Sequence, residues 1–179
     1  MKMSVRKLVL SAAVAALYAT LTLALAPISY GPIQFRIAEV LCILPFFLPF
    51  SVWGLFVGCV IANLFSQFGI LDIVFGGFAT LLGAWLTAQC GIRGRARIGW
   101  KLLACLSPVL CNGVIVGAVL AAAGTPEVFW LGWLINGLQV AGGEAAVLFC
   151  LGLPLLLYLP KTSVYRRLCH RYGLESPET

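Results

Sequence analysis

Along this chain, apolar residues come in long runs divided by short polar breaks. After a basic head (Lys2, Arg6, Lys7), the runs cover about 8–28, 36–49, 52–68, 72–90, 102–123 and 129–159. About 20 apolar residues suffice for a helix to cross the hydrocarbon core of a bilayer. The breaks have turn chemistry. SYGPIQF at 29–35 sets Gly31 beside Pro32, which blocks helix continuation, and Gly124–Pro126 is a second turn. GIRGRARIGWK at 91–101 reads as a basic loop and 160–179 as a polar tail. The pattern predicts an all-α membrane protein, six transmembrane helices in a single bundle, forming one domain over 1–179. Pro45 and Pro49 interrupt 36–68, so this stretch reads either as two spans meeting near 49–51 or as a re-entrant pair. The last span is expected to kink around Gly142-Gly143 and Pro154. The first run, with its basic head and with Ala24-Leu25-Ala26 resembling a cleavage site, has two readings, a signal peptide or a retained span. Its length and the apolar segments that follow favour retention.

Composition sharpens the class. Of 179 residues, 61% are apolar and 10% charged, against about 45–50% and about 25% in soluble domains. A larger soluble core does not explain the excess, because small domains leave much surface exposed, and disordered chains are charge-rich and apolar-poor. Six spans use about 120 residues, leaving no room for a soluble catalytic domain. The net charge is +6, and 11 of the 12 basic residues sit in the head, in 91–101 and in the tail. That is the positive-inside pattern rather than a nucleic-acid surface. It places both termini and the 91–101 loop in the cytoplasm of a multi-pass cell-membrane protein. The breaks at 29–35, 69–71 and 124–128 face outward. Four crossings from head to loop and two from loop to tail satisfy that parity. The seven cysteines form no CxxC, and the one histidine, His170, lies in the tail, so no metal is expected.

Ionisable groups within spans are costly, roughly 2.5–3.5 kcal/mol each at the bilayer centre on insertion scales, so they point to function. They are Arg36, Glu39, Asp72 and Glu144, all but Glu144 near outer span ends. The plainer readings are an Arg36–Glu39 pair on one helix face and a helix-capping role for Asp72. Gln34, Asn63, Asn112, Asn136 and Gln139 add amides that either bind a ligand or join helices. Tyr30, Phe35, Phe68, Trp130 and Trp133 form either an interfacial belt or a wall for stacking a planar ring. No Lys follows a Gly, so a phosphate-binding GxxxxGK[ST] loop is impossible. GxGxxG, GxSxG and HExxH are also missing, and no enzyme activity is expected. Uphill transport would then draw on an ion gradient or on another chain. Small residues recur four apart at Ala12/Ala16, Ala15/Ala19, Gly54/Gly58 and Gly113/Gly117, which lets helices approach closely.

The blocks SYGPIQFRIAEVLCILPFF (29–47), LDIVFGGFATLLGAWLTA (71–88), Asn112-Gly113 with VIVGAVL, and GGE…GLP (142–154) together resemble the QueT family over about 8–159. These are queuosine-precursor transporters, substrate-binding (S) components of energy-coupling-factor (ECF) importers. The resemblance implies a six-helix S component without a cofactor of its own. Its partners would be a transmembrane coupling subunit and two cytoplasmic ATPases, which use the ATP. It also implies that the alanines Ala12, Ala15, Ala16 and Ala19 meet the coupling subunit. The expected substrate-binding residues are Gln34, Arg36, Glu39, Asp72, Asn112 and Glu144, with Tyr30, Phe35 and Trp130 stacking. A carboxylate accepts from the donor pair of a deazaguanine edge, and an amide or Arg donates to its carbonyl. The site is expected under the 29–35 loop. Two other classes of function stay open: the same architecture with another vitamin or purine as ligand, and a self-sufficient ion-coupled transporter.

Overall fold

The computed structural model of the chain describes residues 4–31, 35–124 and 126–172, with backbone alone at 126, 164 and 168–171. In chain order come α1 (Val5–Ala24), α2 (Ala26–Ser29), a 3-10 helix (Ile37–Phe46) and α3 (Ser51–Asn63). A π turn (Asp72–Gly76) leads into α4 (Gly77–Gly94), followed by α5 (Ile98–Ala122). Last come α6 (Phe129–Val147), a second π turn (Leu148–Gly152), α7 (Leu153–Tyr158) and α8 (Ser163–Tyr172).

Among the described residues, four helical stretches are long and apolar enough to cross a membrane: Val5–Ala24, Asp72–Gly94, Ile98–Ala122 and Phe129–Lys161. The expected spans 36–49 and 52–68 are instead shorter apolar helices of 10 and 13 residues. At about 2.0 Å per residue for a 3-10 helix and 1.5 Å for an α-helix, each is about 20 Å long. The 3-10 helix runs through Pro45, and Pro49, which has no N–H to donate, lies in the break before α3. The tighter but more extended 3-10 winding lets ten residues reach as far as thirteen do in an α-helix. The pair nevertheless links both ends of the bundle. At one end Arg36 pairs with Asp72. At the other, the Phe46 carbonyl lies so close to Gly91 that no side chain fits there. From that end α3 returns alongside α1. Ser11 Oγ donates to the Phe50 carbonyl over 3.1 Å near its start, and Tyr30 donates to the Ala62 carbonyl over 2.6 Å near its finish.

Close helix contacts use the small residues. A Cβ on Gly58 would sit 2.7 Å from the Ala15 carbonyl oxygen, and one on Gly117 would sit 2.6 Å from the Gly137 Cα. Ala15 and Ala19 are therefore buried inside the bundle, while Ala12 and Ala16 are exposed. The last span is not broken at Gly142-Gly143, as α6 runs through both. Its irregularity is the π turn just before Pro154, whose missing N–H frees a carbonyl one turn back.

The 91–101 loop shrinks to Arg95–Arg97 between α4 and α5. The polar tail contains α8, whose buried Tyr165 packs edge-on against Phe47 at 5.0 Å, with Tyr172 on Phe50 at 5.6 Å. Lys7 lies 5.7 Å over the same Phe50 ring. Head, turn and tail thus share a basic end. Around the bundle, Trp53, Trp85, Leu110, Leu138 and Leu151 are exposed, whereas Arg36, Glu39, Asp72 and Glu144, the Asp, Glu, Lys and Arg side chains described between the two ends, are buried. This inside-out distribution is stable only against an apolar solvent.

Candidate functional site

The site begins with winding. In a 3-10 helix residues three apart eclipse, so Arg36, just before the helix, stacks in line with Glu39 and Cys42 on it. All three are buried. The steps between them are about 6 Å along the axis.

At the top of this line the Arg36 guanidinium lies 3.6 Å from an Asp72 carboxylate oxygen. Its Nε donates to the Ser29 carbonyl over 3.4 Å, and the group packs 5.5 Å from the Tyr30 ring centroid. The Arg36–Glu39 pair, one of the two readings the sequence left open for these residues, gives way to this one. Asp72 caps no helix: it sits in the π turn, and neither of its oxygens accepts a hydrogen bond. Asn63, the last residue of α3, donates Nδ2 to the Asp72 backbone carbonyl over 2.8 Å. A Cβ at Gly76 would strike both Asn63 Nδ2 (2.6 Å) and Asp72 Oδ1 (2.9 Å), so glycine is required to leave room for the cluster. Besides Asp72 Oδ1 and Oδ2, the buried Ser29 Oγ, Asn63 Oδ1 and Arg36 Nη2 also lack hydrogen-bond partners.

One step deeper, Glu39 is held on both oxygens. Tyr18 of α1 donates its hydroxyl to Oε1, and Cys42 Sγ lies 2.9 Å from Oε2. Glu144 arrives from the far side, because Val140, Gly143, Glu144 and Val147 form the buried stripe of α6. Its Oε1 accepts from Asn112 Nδ2 over 2.9 Å, and it is buried in the same interior as Glu39 and Arg36. No break in the helix is needed to bring it in. Among the described residues, the interior thus holds three carboxyl groups and one guanidinium.

Above the Arg36 cluster a cavity of about 500 Å³ opens, lined by Ala26, Pro27, Tyr30, Gly31, Gln67, Phe68, Leu120 and Asn136. Glu144 is eight residues further along α6 than Asn136, about 12 Å below the mouth. Of the expected aromatics, Tyr30 and Phe68 line this mouth. Phe35 is on the surface, and Trp130 is 75% exposed, its ring edge-on to those of Phe129 and Trp133. Trp130 has the position of an interfacial anchor rather than a stacking wall. Gln139 is exposed. Gln34 lies outside the described residues.

Sequence reasoning missed Tyr18 and Ser29 and gave Asn63 no particular role. Tyr18 looked like one apolar residue in an apolar run. Only its register, one turn from the close Ala15–Gly58 contact, brings it to Glu39.

A helical bundle with an apolar exterior, a polar interior and a mouth at one end defines a membrane protein with an interior polar site. The sequence matches the QueT transporter family over residues 8–161, so the chain belongs to that family, one of transporters and not of enzymes. Over 73 residues it is 45% identical to the queuosine precursor transporter QueT of Lactococcus lactis subsp. cremoris (strain MG1363). That stretch spans 40% of this chain and 43% of the curated relative. No solved structure matches.

Proposed function

We propose that this chain captures a queuosine precursor, a 7-deazaguanine such as prequeuosine or queuine, and carries it across the membrane as the S component of an ECF importer. The Lactococcus relative is named for that substrate, and the observation that carries the reading is the charge of the interior. Among the described residues, the interior buries the carboxyl groups of Glu39, Asp72 and Glu144 with the one guanidinium of Arg36. Burying unbalanced charge is strongly unfavourable, and a ligand that brings a cationic amine offsets it. Prequeuosine and queuine are such ligands, whereas carboxylated vitamins would add to the surplus. Arg36, Glu39, Asp72, Asn112 and Glu144 form the binding set, and Tyr30 lies against the base.

The mouth end faces outside and the basic end faces the cytoplasm, in accord with the positive-inside rule. Having no phosphate loop, the chain relies on two cytoplasmic ATPases and a transmembrane coupling subunit. The exposed Ala12–Ala16 edge of α1 fits close approach by that subunit.

Thermal stabilisation of the purified protein tests the reading, since a ligand selective for the folded state raises stability by mass action. 7-Aminomethyl-7-deazaguanine should stabilise the protein at concentrations where guanine does so weakly and carboxylated vitamins do not. Glu144→Gln should weaken its binding about tenfold or more, equivalent to about 1.4 kcal/mol. Equal stabilisation by all compounds, or by none, would refute the assignment.

A further inference from the structure

The carboxylate oxygens of Glu39 already accept hydrogen bonds, and Glu144 accepts one from Asn112, whereas the outer cluster keeps several buried polar atoms without one. Among the described residues, its buried atoms without a hydrogen bond are three acceptors (Asp72 Oδ1, Asp72 Oδ2, Asn63 Oδ1), one donor (Arg36 Nη2, which meets Asp72 Oδ2 only as an ion pair at 3.6 Å) and one hydroxyl that serves as either (Ser29 Oγ). Ser29 and Asn63 are fully buried, and Arg36 and Asp72 are 5% and 1% exposed. Buried polar groups are seldom left without partners, and here five such atoms occur on four adjacent side chains. Tyr30 touches both this row and the mouth.

We infer that Ser29, Arg36, Asn63 and Asp72 form the subsite that reads the edge of the base, and that Ser29 and Asn63 are ligand contacts. The inference rests on the proposed function and deepens it. A guanine-type edge offers one carbonyl and three N–H hydrogens, on the ring nitrogen and the 2-amino group. Arg36 Nη2 donates to the carbonyl, while Asp72 and Asn63 accept from the N–H groups. An adenine-type edge has two N–H hydrogens and sets a lone pair at the ring nitrogen, opposite an acceptor. A 2-oxo edge sets a lone pair where the row supplies acceptors. A base held this way leaves its 7-substituent away from the row, free to place an amine toward Glu39 and Glu144. Specificity and charge neutralisation are then separate tasks of separate residues.

The test uses the full-length purified protein and three neutral probes, 7-deazaguanine, 7-deazaadenine and 7-deazaxanthine. Wild type should bind the first at least tenfold more tightly than the others. Ser29→Ala should lose about tenfold for 7-deazaguanine while the ligand-free melting temperature holds or rises, because the hydroxyl has no partner to lose. Asp72→Asn, which turns one acceptor into a donor, should lose 7-deazaguanine and gain 7-deazaxanthine. A merely structural Asp72 would lower both affinities together. Unchanged 7-deazaguanine binding in both variants would overturn the row and leave the transport reading intact. Wild-type preference for 7-deazaadenine would overturn the edge assignment alone. If wild type binds no deazaguanine, with or without an aminomethyl group, the transport reading falls and takes the edge assignment with it. A lowered melting temperature in ligand-free Ser29→Ala overturns the row whatever the ligand is.

Discussion

Replacing Tyr18 with Phe isolates the bond that links α1 to the interior carboxylates. Tyr18 is fully buried, and its hydroxyl donates to Glu39 Oε1. Phe keeps the ring and its packing, so the change in apolar contact is close to zero. What is lost is a hydrogen bond to a charged acceptor, about 1.5–3 kcal/mol. Glu39 keeps only the Cys42 thiol, a weak donor. We expect a loss of about 2 kcal/mol, or about 4–8 °C in melting temperature at roughly 2–4 °C per kcal/mol for a chain of this size. The protein carries its own reporters: Cys42, Cys59, Cys90, Cys105 and Cys111 are buried and Cys150 is exposed. A thiol-reactive fluorogenic dye therefore follows unfolding in detergent over a small constant background. Repeating Tyr18→Phe in a Glu39→Gln background completes a double-mutant cycle. There the acceptor is neutral and the additional loss should fall to about 1 kcal/mol. An unchanged melting temperature for Tyr18→Phe, or equal losses in the two backgrounds, would refute a charge-assisted bond at this position.

The two faces of α1 should respond differently to bulk. Ala16→Trp adds a side chain on the exposed edge and should spare ligand binding by the isolated protein while cutting uptake in the assembled transporter. Ala15→Trp drives into α3 at Gly58 and should abolish folding. Loss of binding in Ala16→Trp would mean that this edge packs internally. Orientation is checked at Ala96, exposed in the turn between α4 and α5. With Cys150 and Cys169 replaced by Ser, Ala96→Cys should react with a membrane-impermeant maleimide only after cells are permeabilised, and labelling of intact cells would reverse the assigned topology.

The apolar runs and the clustering of basic residues were sufficient to read a helical membrane bundle, because a bilayer imposes those two patterns directly on the linear chain. The same cost argument singled out Arg36, Glu39, Asp72 and Glu144, since a buried charge is conspicuous in an apolar run whatever its partners are. The partners themselves were not legible. Arg36 and Glu39 are neighbours in sequence, yet Arg36 pairs with Asp72 and Glu39 with Tyr18, because the choice depends on which helices pack together. Two prolines announced an interruption in 36–68, but the 3-10 winding that stacks Arg36, Glu39 and Cys42 reflects the span the segment must bridge within the bundle. Gly142-Gly143 looked like a hinge, yet packing holds α6 straight there and places the irregularity at the π turn before Pro154. Ser29 and Asn63 were ordinary polar residues until the tertiary structure buried them without partners. Composition sets how much polarity the membrane must tolerate, and only the packing of helices decides which polar atoms are left for something else to satisfy.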